Sequence, residues 1–237
     1  MSFNAAGLQL TSYGTFAHLA TVDGRLVLLG FAQVHQLMNQ SAQDKSLLRL
    51  YRDIARVVVP RRRIALRIHR LADDIAATYD HNGDGNVTIL AVLTGSLIFL
   101  GDLMRQLPLK MRLDVISVSS YPGKAVRGRG VRLRGSLPAS LIGRDVLIID
   151  DVLDSGQTLG TLVRRVQRLR PASLRTCVLL KKDRPGLTGR LMPDFVGFDV
   201  ADEFIVGYGL DWDGYYRNLP DICVLSRHAR RANGGGA

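Results

Sequence analysis

Two kinds of apolar pattern recur along most of this chain, a helical spacing and a short unbroken run. After Pro60, the residues Ile64, Ile68, Leu71 and Ile75 recur at spacings of three and four, which is typical of an amphipathic helix. An unbroken apolar run at 87–93 follows a turn rich in Gly, Asn and Asp and predicts a buried strand. The same patterns predict further helices at 96–107 and 158–169, and further strands at 113–119, 145–149, 174–180, 195–197, 203–206 and 222–225.

The order of these elements predicts the fold class. Strands alternate with helices, which is typical of an α/β protein with a mostly parallel, twisted sheet flanked by helices. Residues 121–136 are rich in Gly and Arg and predict a long loop. Ligands of such sheets bind beyond the carboxyl ends of the strands, so the segments that follow strands are the first candidates for a functional site.

Charge is spread unevenly and suggests how the chain is organised. Residues 1–50 contain five of the 53 charged residues and show no clear helical or strand period. We therefore predict an N-terminal extension at 1–52, disordered in part, and one folded domain at 53–226. The basic and Gly-rich residues 227–237 predict a frayed tail. The more regular sequence begins at Met38, which is an alternative start of the chain.

Composition narrows the classes of function. Lys and Arg number 32 against 21 Asp and Glu, and the net charge of +11 favours anionic partners such as phosphorylated metabolites, nucleic acid or an acidic membrane. The two cysteines, Cys177 and Cys223, lie in apolar stretches and predict buried thiols rather than a disulfide scaffold. No stretch approaches the ~20 apolar residues of a membrane span, and no targeting segment is evident, so we expect a soluble cytoplasmic protein.

The strongest chemical signal lies at residues 146–158. A predicted buried strand ends in Asp150 and Asp151, and Asp154 and a Ser-Gly-Gln-Thr segment precede the next helix. Backbone N–H groups at a helix N-terminus bind anions, and Gly156 lets the backbone approach a phosphate closely. The paired carboxylates can accept hydrogen bonds from two vicinal hydroxyls. The segment therefore predicts a site for a ribose 5-phosphate.

The bland alternative for this segment is a helix cap. Asp154 or Ser155 would then simply cap the helix that begins near Thr158. Capping does not explain Asp150 and Asp151, because ionised side chains directly after a buried apolar run are costly without a partner. We therefore favour the binding site over the cap.

Several segments resemble one enzyme family. Residues 146–158 resemble the motif that binds phosphoribosyl pyrophosphate (PRPP) in type I phosphoribosyltransferases. Similarity to the hypoxanthine-guanine branch is carried by VLTGS at 92–96, SSY at 119–121, LLKK at 179–182, DFVGF at 194–198 and EFIVGYGLD at 203–211. The resemblance extends from about residue 57 to about residue 225. It implies the type I phosphoribosyltransferase fold, in which a small hood accompanies the α/β sheet.

The resemblance implies roles on the purine side of a site. Asp154 would face N7 of the purine as the general acid and base. Lys182 would donate to the 6-oxo group, Phe204 would stack on the ring, and the backbone of Ile205 would read the purine edge. Without the resemblance, a lysine after a strand is more often solvated and a lone Phe more often belongs to the core.

The resemblance also implies roles on the PRPP side. Asp150 and Asp151 would bind the ribose hydroxyls, partly through Mg²⁺. Asp211 would ligate a Mg²⁺ on the pyrophosphate, which Arg217 would also contact. The residues implied to hold the 5-phosphate are Ser155, Gly156, Gln157 and Thr158.

Two loops complete the implied site. Ser120 and Tyr121 would lie in the loop that closes over the reacting centre, and the Gly- and Arg-rich stretch after them is placed to be a lid that excludes water. The turn at Thr94 and Gly95 would contact pyrophosphate. The family usually has a lysine where this chain has Thr94, so either PRPP affinity or a subunit contact is expected to differ. Arg105 and Lys110 lie near enough in sequence to compensate.

Other features have weaker functional interpretations. Residues 80–88 imitate the start of an EF-hand loop, but Ala91 stands where a bidentate Glu is needed, so we predict a helix-to-strand turn. The five histidines show no metal-ligand spacing. A basic cluster lies before and along the first predicted helix, where a solvated face or a subunit contact is favoured over nucleic acid. Its members are Arg52, Arg56, Arg61, Arg62, Arg63, Arg67 and Arg70.

Taken with the resemblance, these residues predict a purine-salvage enzyme. It would join hypoxanthine or guanine to PRPP, release pyrophosphate and act as a homodimer or homotetramer, with no nucleic-acid or membrane partner. Two alternatives stay open: a regulator that keeps the PRPP site, and a sibling transferase for xanthine or a pyrimidine.

Overall fold

The computed structural model describes residues 50–79, 86–119, 132–134, 136–184 and 192–233, and four strands within residues 1–49. The chain divides into two compact units, Met1–Asp53 and Ile54–Ala237. Among the described residues, no helix is long and apolar enough to cross a membrane.

The first unit contains a four-stranded antiparallel sheet. Its strands are β1 (Phe3–Ala5), β2 (Leu8–Tyr13), β3 (Ala17–Val22) and β4 (Arg25–Gly30), paired in the order β1-β2-β3-β4. The sequence of this segment shows no clear strand period, yet it contains these four strands. One signal was present: Asp23-Gly24, between β3 and β4, is a dipeptide that favours a two-residue hairpin.

The second unit is built on a six-stranded sheet. Its strands are β6 (Val87–Leu93), β7 (Met111–Ser119), β8 (Arg132–Arg134), β9 (Asp145–Leu153), β10 (Ser173–Asp183) and β11 (Phe195–Ala201). They pair in the order β11-β10-β9-β6-β7-β8, and all pairs are parallel except β7 with β8. The predicted α/β class with a mostly parallel sheet is confirmed.

Helices cover both faces of this sheet. They are α1 (Arg61–Tyr79), α2 (Leu97–Met104) and α3 (Gln157–Gln167). Alternate residues of β9 point to opposite faces, as the pleat requires. Leu147 and Ile149 belong to one core cluster, which includes residues of α1 and α2, whereas Val146 and Ile148 belong to another, which includes residues of α3.

A three-stranded antiparallel sheet forms the small hood that the resemblance implied. It pairs β12 (Ile205–Val206), β13 (Ile222–Leu225) and β5 (Ile54–Val59) in that order. The strand β5 was not predicted. A short helix, α4 (Arg227–Asn233), stands where a frayed tail was expected. Two features explain this helix. Ser226 Oγ accepts a hydrogen bond from the Ala229 N–H at 3.1 Å, and the Ala229 side chain is buried.

Several element bounds differ from the predicted ones. The strands β9 and β10 continue past their apolar cores, through Leu153 and Asp183 respectively, so their ends carry the polar residues toward the site. In α2, Leu97 is exposed and Phe99 is buried. The predicted loop at 121–136 lies largely outside the described residues. Six residues of the EF-hand-like stretch, 80–85, do so as well.

Both cysteines are buried and free, as predicted. Part of the basic cluster is engaged within the unit. Arg67 donates to the carbonyl oxygens of Val196 and Gly197 at 2.6 and 2.9 Å, Arg56 pairs with Glu203, and Arg63 lies 5.9 Å from the ring centroid of Phe198.

Candidate active site

The segment that joins β9 to α3 forms the centre of the candidate site. Gly156 occupies the N-cap position of α3 with φ of 72°, a left-handed conformation that glycine adopts without strain. The first helical turn then forms, with the Gly160 N–H donating to the Gly156 carbonyl at 2.9 Å. The N–H groups of this first turn and the hydroxyl groups of Ser155 and Thr158 therefore lie together at the carboxyl end of the sheet, where the Gln157 N–H donates to Ser155 Oγ at 3.5 Å.

Asp150 and Asp151 are a closely coupled pair of carboxyl groups. Asp150 is only 6% exposed. The Asp151 N–H donates to Asp150 Oδ1 at 3.0 Å, and the Val152 N–H donates to Asp151 Oδ1 at 2.7 Å. Burial, and then the charge of Asp151, raise the pKa of Asp150 well above its ordinary value. Burial also raises the pKa of Asp151, against a lowering by hydrogen bonds and the Arg217 charge.

A cavity of about 600 Å³ lies beyond the ends of β6 and β9. It brings together ten residues that the sequence analysis placed in the site: Thr94, Gly95, Asp150, Asp151, Asp154, Ser155, Gly156, Thr158, Asp211 and Arg217. Gln157, Lys182, Phe204 and Ile205 are not among its described lining residues. Ser120 and Tyr121 lie outside the described residues.

Lys182 lies next to Asp154 although it does not line this cavity. Its Nζ is 3.4 Å from Asp154 Oδ1 and 3.6 Å from Asp202 Oδ1, and its side chain is only 11% exposed. Arg184 joins the same two carboxylates, with Nη1 at 2.9 Å from Asp154 and Nε at 2.7 Å from Asp202. The hydrogen bond from Arg184 is the main reason that the pKa of Asp202 is lowered.

Sequence reasoning missed Arg184 and Asp202. Both stand at strand ends, where a charged residue is usually solvated, so only the meeting of β10 with the segment after β11 identifies them. Trp212 was missed as well. Its ring meets Phe204 edge to face, with centroids 4.7 Å apart and planes at 80°. Ile205 is buried in β12.

Asp211 and Arg217 are held together at the other side of the cavity. Arg217 Nη2 lies 2.7 Å from Asp211 Oδ1, and Arg217 Nη1 donates to the Gly209 carbonyl at 2.6 Å. The second oxygen of Asp211 accepts the Gly214 N–H at 2.7 Å. These contacts fix a carboxylate and a guanidinium side by side at the cavity wall.

The turn after β6 packs directly against the carboxylate pair. The peptide bond between Leu93 and Thr94 is cis. A Cβ at Gly95 would collide with the carboxylate of Asp151, so this close approach requires glycine. Among the described lining residues, Arg217 is the one cation. Arg105 and Lys110 were predicted to replace the missing lysine. Neither is among the described residues that line the cavity.

The carboxyl groups fit a hydrated magnesium ion. Mg²⁺ prefers oxygen ligands and is usually bound by one or two carboxylates together with waters and substrate phosphates. Asp150 and Asp151 supply such a pair at the cavity, where burial raises the pKa of both carboxyl groups, and a bound cation would favour their charged forms. Asp211 lines the cavity as well, but among the described residues it does not form a three-carboxylate group with this pair.

Comparisons with known proteins identify the family of this chain. The family model described as a phosphoribosyl transferase domain matches residues 61–213. The hypoxanthine-guanine phosphoribosyltransferase of Mycobacterium avium is 38% identical over 177 residues, which cover 73% of this chain and 86% of that protein. The corresponding Bacillus subtilis protein is 37% identical, with 73% of this chain and 94% of that protein covered.

Solved structures give the same result. A hypoxanthine phosphoribosyltransferase of Trypanosoma cruzi, studied for its C-terminal region, superposes with a TM-score of 0.73 and 33% identity over 78% of this chain and 98% of that one. The fold and the site therefore define a type I phosphoribosyltransferase. Within that class, the identities over most of both chains show that this chain belongs to the hypoxanthine-guanine phosphoribosyltransferases.

Proposed function

We propose that this protein transfers the 5-phosphoribosyl group of PRPP to hypoxanthine or guanine, giving IMP or GMP and pyrophosphate. The observation that carries the proposal is the 3.4 Å separation of Lys182 Nζ and Asp154 Oδ1. The 6-oxo group and N7 are neighbours on one edge of a 6-oxopurine. A cationic donor and a carboxylate at this separation can serve both atoms at once.

Asp154 moves the proton in this proposal. Its carboxylate accepts or returns the N7 proton as the bond between the base and C1 of ribose forms, and the Asp154 side chain is 45% exposed and reachable from the cavity. Lys182 donates to the 6-oxo group. Phe204 stacks on the purine ring, supported from its edge by Trp212, and the Ile205 backbone reads the purine edge.

The PRPP sugar and its phosphate occupy the α3 end of the cavity. Asp150 and Asp151 accept the ribose hydroxyls, and the first turn of α3 holds the 5-phosphate. The residues proposed for the phosphate are Ser155, Gly156, Gln157 and Thr158. The left-handed Gly156 supports this assignment because it leaves the helix N-terminus open to an anion.

The leaving pyrophosphate lies between the Thr94–Gly95 turn and Arg217. Breaking the bond from C1 to pyrophosphate develops positive charge on the sugar and negative charge on the leaving group. A magnesium ion held by Asp211 on the pyrophosphate, and one held by Asp150 and Asp151 at the ribose hydroxyls, would neutralise part of that negative charge when bound. Arg217 supplies a fixed protein cation at the same wall. Ser120 and Tyr121 belong to the loop proposed to exclude water, which would otherwise intercept the sugar.

Purine choice follows from the chemistry of Lys182. An ammonium group only donates, so it suits an acceptor at position 6 of the purine and is mismatched with the 6-amino group of adenine. Buried polar groups that are left unpaired discriminate strongly between substrates. The protein is therefore expected to use hypoxanthine and guanine and to reject adenine.

One assay tests the proposal. The protein is mixed with PRPP, MgCl₂ and one base at a time, and ultraviolet absorbance follows the conversion of base to nucleotide. Hypoxanthine, guanine, xanthine, adenine and uracil are compared, with omission of PRPP and chelation of Mg²⁺ by EDTA as controls. Turnover of the 6-oxopurines that needs both PRPP and Mg²⁺ is expected. Efficient adenine turnover, or no turnover of hypoxanthine and guanine, would contradict the proposal.

We also propose a cytoplasmic location and assembly into a homodimer or homotetramer. Exposed apolar side chains on α2 and β7 support assembly, namely Leu97, Leu113 and Val115. Sedimentation equilibrium measures the state directly, and a monomer at micromolar concentration would contradict it.

A further inference from the structure

Tyr208 forms an unusual link between two parts of the site. Its hydroxyl donates to Asp102 Oδ2 on α2 at 2.6 Å, although Tyr208 is 6% exposed and lies 106 residues further along the chain. Its φ of 51° is left-handed, which a non-glycine residue adopts only where its surroundings hold it. Burial and the bond to Asp102 raise the pKa of Tyr208, so the hydroxyl keeps its proton.

The residues after Tyr208 include Asp211 and Arg217, which line the cavity where the pyrophosphate is proposed to bind. Tyr208 and Gly209 donate their N–H groups to the Leu219 and Arg217 carbonyls, at 2.7 and 2.9 Å, which closes residues 207–219 into a compact segment. This 207–219 segment holds Asp211 and Arg217, the ion pair in the cavity wall.

The same segment touches the turn after β6. Gly209 packs so closely on the Gly95 carbonyl that a Cβ at Gly209 would collide with it. Gly95 is followed by Ser96, the N-cap residue of α2. Asp102 lies on α2, about one and a half turns from its first residue, Leu97. The Tyr208–Asp102 bond therefore closes a ring of contacts: the Gly95 turn, α2, Asp102, Tyr208, Gly209 and back to Gly95.

We propose that Tyr208 is a positioning residue for the pyrophosphate half of the substrate. Its bond to Asp102 locks the 207–219 segment to α2, and thereby fixes the spacing between Arg217 on that segment and the Thr94–Gly95 turn. This inference rests on the proposed function, since it presumes that PRPP occupies the cavity. Tyr208 itself does not line the cavity, so it acts through Arg217 and Asp211 rather than on the substrate.

The test compares two buried tyrosines. Tyr208→Phe removes only the hydroxyl that bonds Asp102. Tyr79→Phe is the matched control, because Tyr79 is 5% exposed and its hydroxyl has no hydrogen-bond partner among the described residues. Asp102→Ala removes the acceptor. Arg105→Gln removes only the exposed partner of Asp102 and leaves the Tyr208 bond in place.

Two readouts separate positioning from general destabilisation. Calorimetry measures the Kd for PRPP with MgCl₂, and steady-state kinetics measure KM for PRPP and for hypoxanthine separately. We expect Tyr208→Phe to weaken PRPP binding about three- to tenfold, the factor that a hydrogen bond of ordinary net strength sets. The KM for hypoxanthine should change less than about twofold, since the Lys182–Asp154 side is untouched. Tyr79→Phe and Arg105→Gln should match the wild type.

The double variant Tyr208→Phe/Asp102→Ala completes the cycle. If the two residues act through one bond, its loss of PRPP affinity should equal that of the larger single variant rather than the product of both. Wild-type PRPP affinity in Tyr208→Phe, or equal losses for PRPP and hypoxanthine together with a lower Tm, would overturn the proposal. A wild-type protein that binds PRPP but makes no nucleotide contradicts the proposed function and leaves the calorimetric test of PRPP affinity intact; one that does not bind PRPP overturns both.

Discussion

The two ends of strand β9 each bury an aspartate, and the two residues are treated very differently. Asp145, at the amino end, is 5% exposed and accepts the Ser173 hydroxyl at 2.6 Å. Asp150, near the carboxyl end, is 6% exposed but is adjacent to a second carboxyl group, and its pKa is raised. Two equally buried aspartates thus differ in their surroundings. Asp145 has a hydroxyl partner, whereas the charge of Asp150 is not compensated by its neighbour.

The contrast extends across the sheet. At the amino end, Arg144 donates to the Thr88 hydroxyl at 2.9 Å, and Asp194 accepts the Thr176 N–H at 2.8 Å. At the carboxyl end, the carboxylates face a cavity of about 600 Å³. Matched polar groups stabilise the fold, whereas uncompensated ones are the signature of a site that a ligand or metal completes. Five predictions test this contrast.

The largest effect is expected at Asp154. A positioned general acid and base contributes about 10²–10⁴ in rate, so Asp154→Asn should lower kcat by that factor while PRPP binding is retained. Rapid absorbance assays give kcat, and calorimetry gives the Kd for PRPP. The matched control is Asp194→Asn at the amino end, which should keep kcat within about twofold. Near-wild-type turnover in Asp154→Asn would remove this residue from the mechanism.

The next effect compares neighbouring lysines of β10. Lys182→Met should lower kcat/KM for hypoxanthine about 10–100-fold, the range set by a hydrogen bond to a charged donor, and leave PRPP binding mostly intact. Lys181→Met is the control, because Lys181 pairs with Asp199 at 2.7 Å instead of with Asp154. If both variants lose hypoxanthine use equally, the purine assignment of Lys182 is wrong.

A third prediction concerns stability at the two ends of β9. Asp145→Ala removes the acceptor of the half-buried Ser173 hydroxyl and should lower the free energy of unfolding by about 1 kcal/mol. Asp150→Asn removes an uncompensated charge and should raise it at neutral pH, while abolishing activity. Chemical denaturation measures both. A stabilised Asp145→Ala, or a destabilised Asp150→Asn, would reverse the contrast between the ends.

The Asp150 effect should also depend on pH. Because its pKa is raised in the folded state, the folded protein binds more protons than the unfolded chain at pH values above the ordinary 3.8. The free energy of unfolding of the wild type should therefore fall as the pH rises from 3.8 toward the pKa of Asp150 in the folded protein. Asparagine does not titrate. The Tm of Asp150→Asn should therefore equal that of the wild type at about pH 3 and exceed it increasingly toward neutral pH. A pH-independent difference would contradict the assignment.

The smallest effect is expected from the first unit. Both ends of β9 lie in the unit Ile54–Ala237, and the family model begins at residue 61. Deleting residues 1–37 should therefore leave kcat nearly unchanged, and the Tm of the main transition should move by no more than a few degrees. A large loss of either would show that this segment contributes to the catalytic unit.

Much of this protein could be predicted from its sequence because local patterns carry the information. The helix after Pro60 and the apolar run at 87–93 match α1 and β6 closely, since each period is a property of consecutive residues. The segment from Asp150 to Thr158 was predictable for the same reason: strand end, glycine and helix start are all adjacent in the chain.

The rest depends on contacts between residues that are far apart in sequence. Arg184 meets both Asp154 and Asp202 only because β10 lies between β9 and β11 in the sheet. The bond from Tyr208 to Asp102 spans 106 residues. The strand β5 is defined by its pairing with β13 rather than by its own pattern. Local periodicity determines which elements form, but only the tertiary structure decides which charges face one another, because electrostatic and hydrogen-bond partners are set by distance in space.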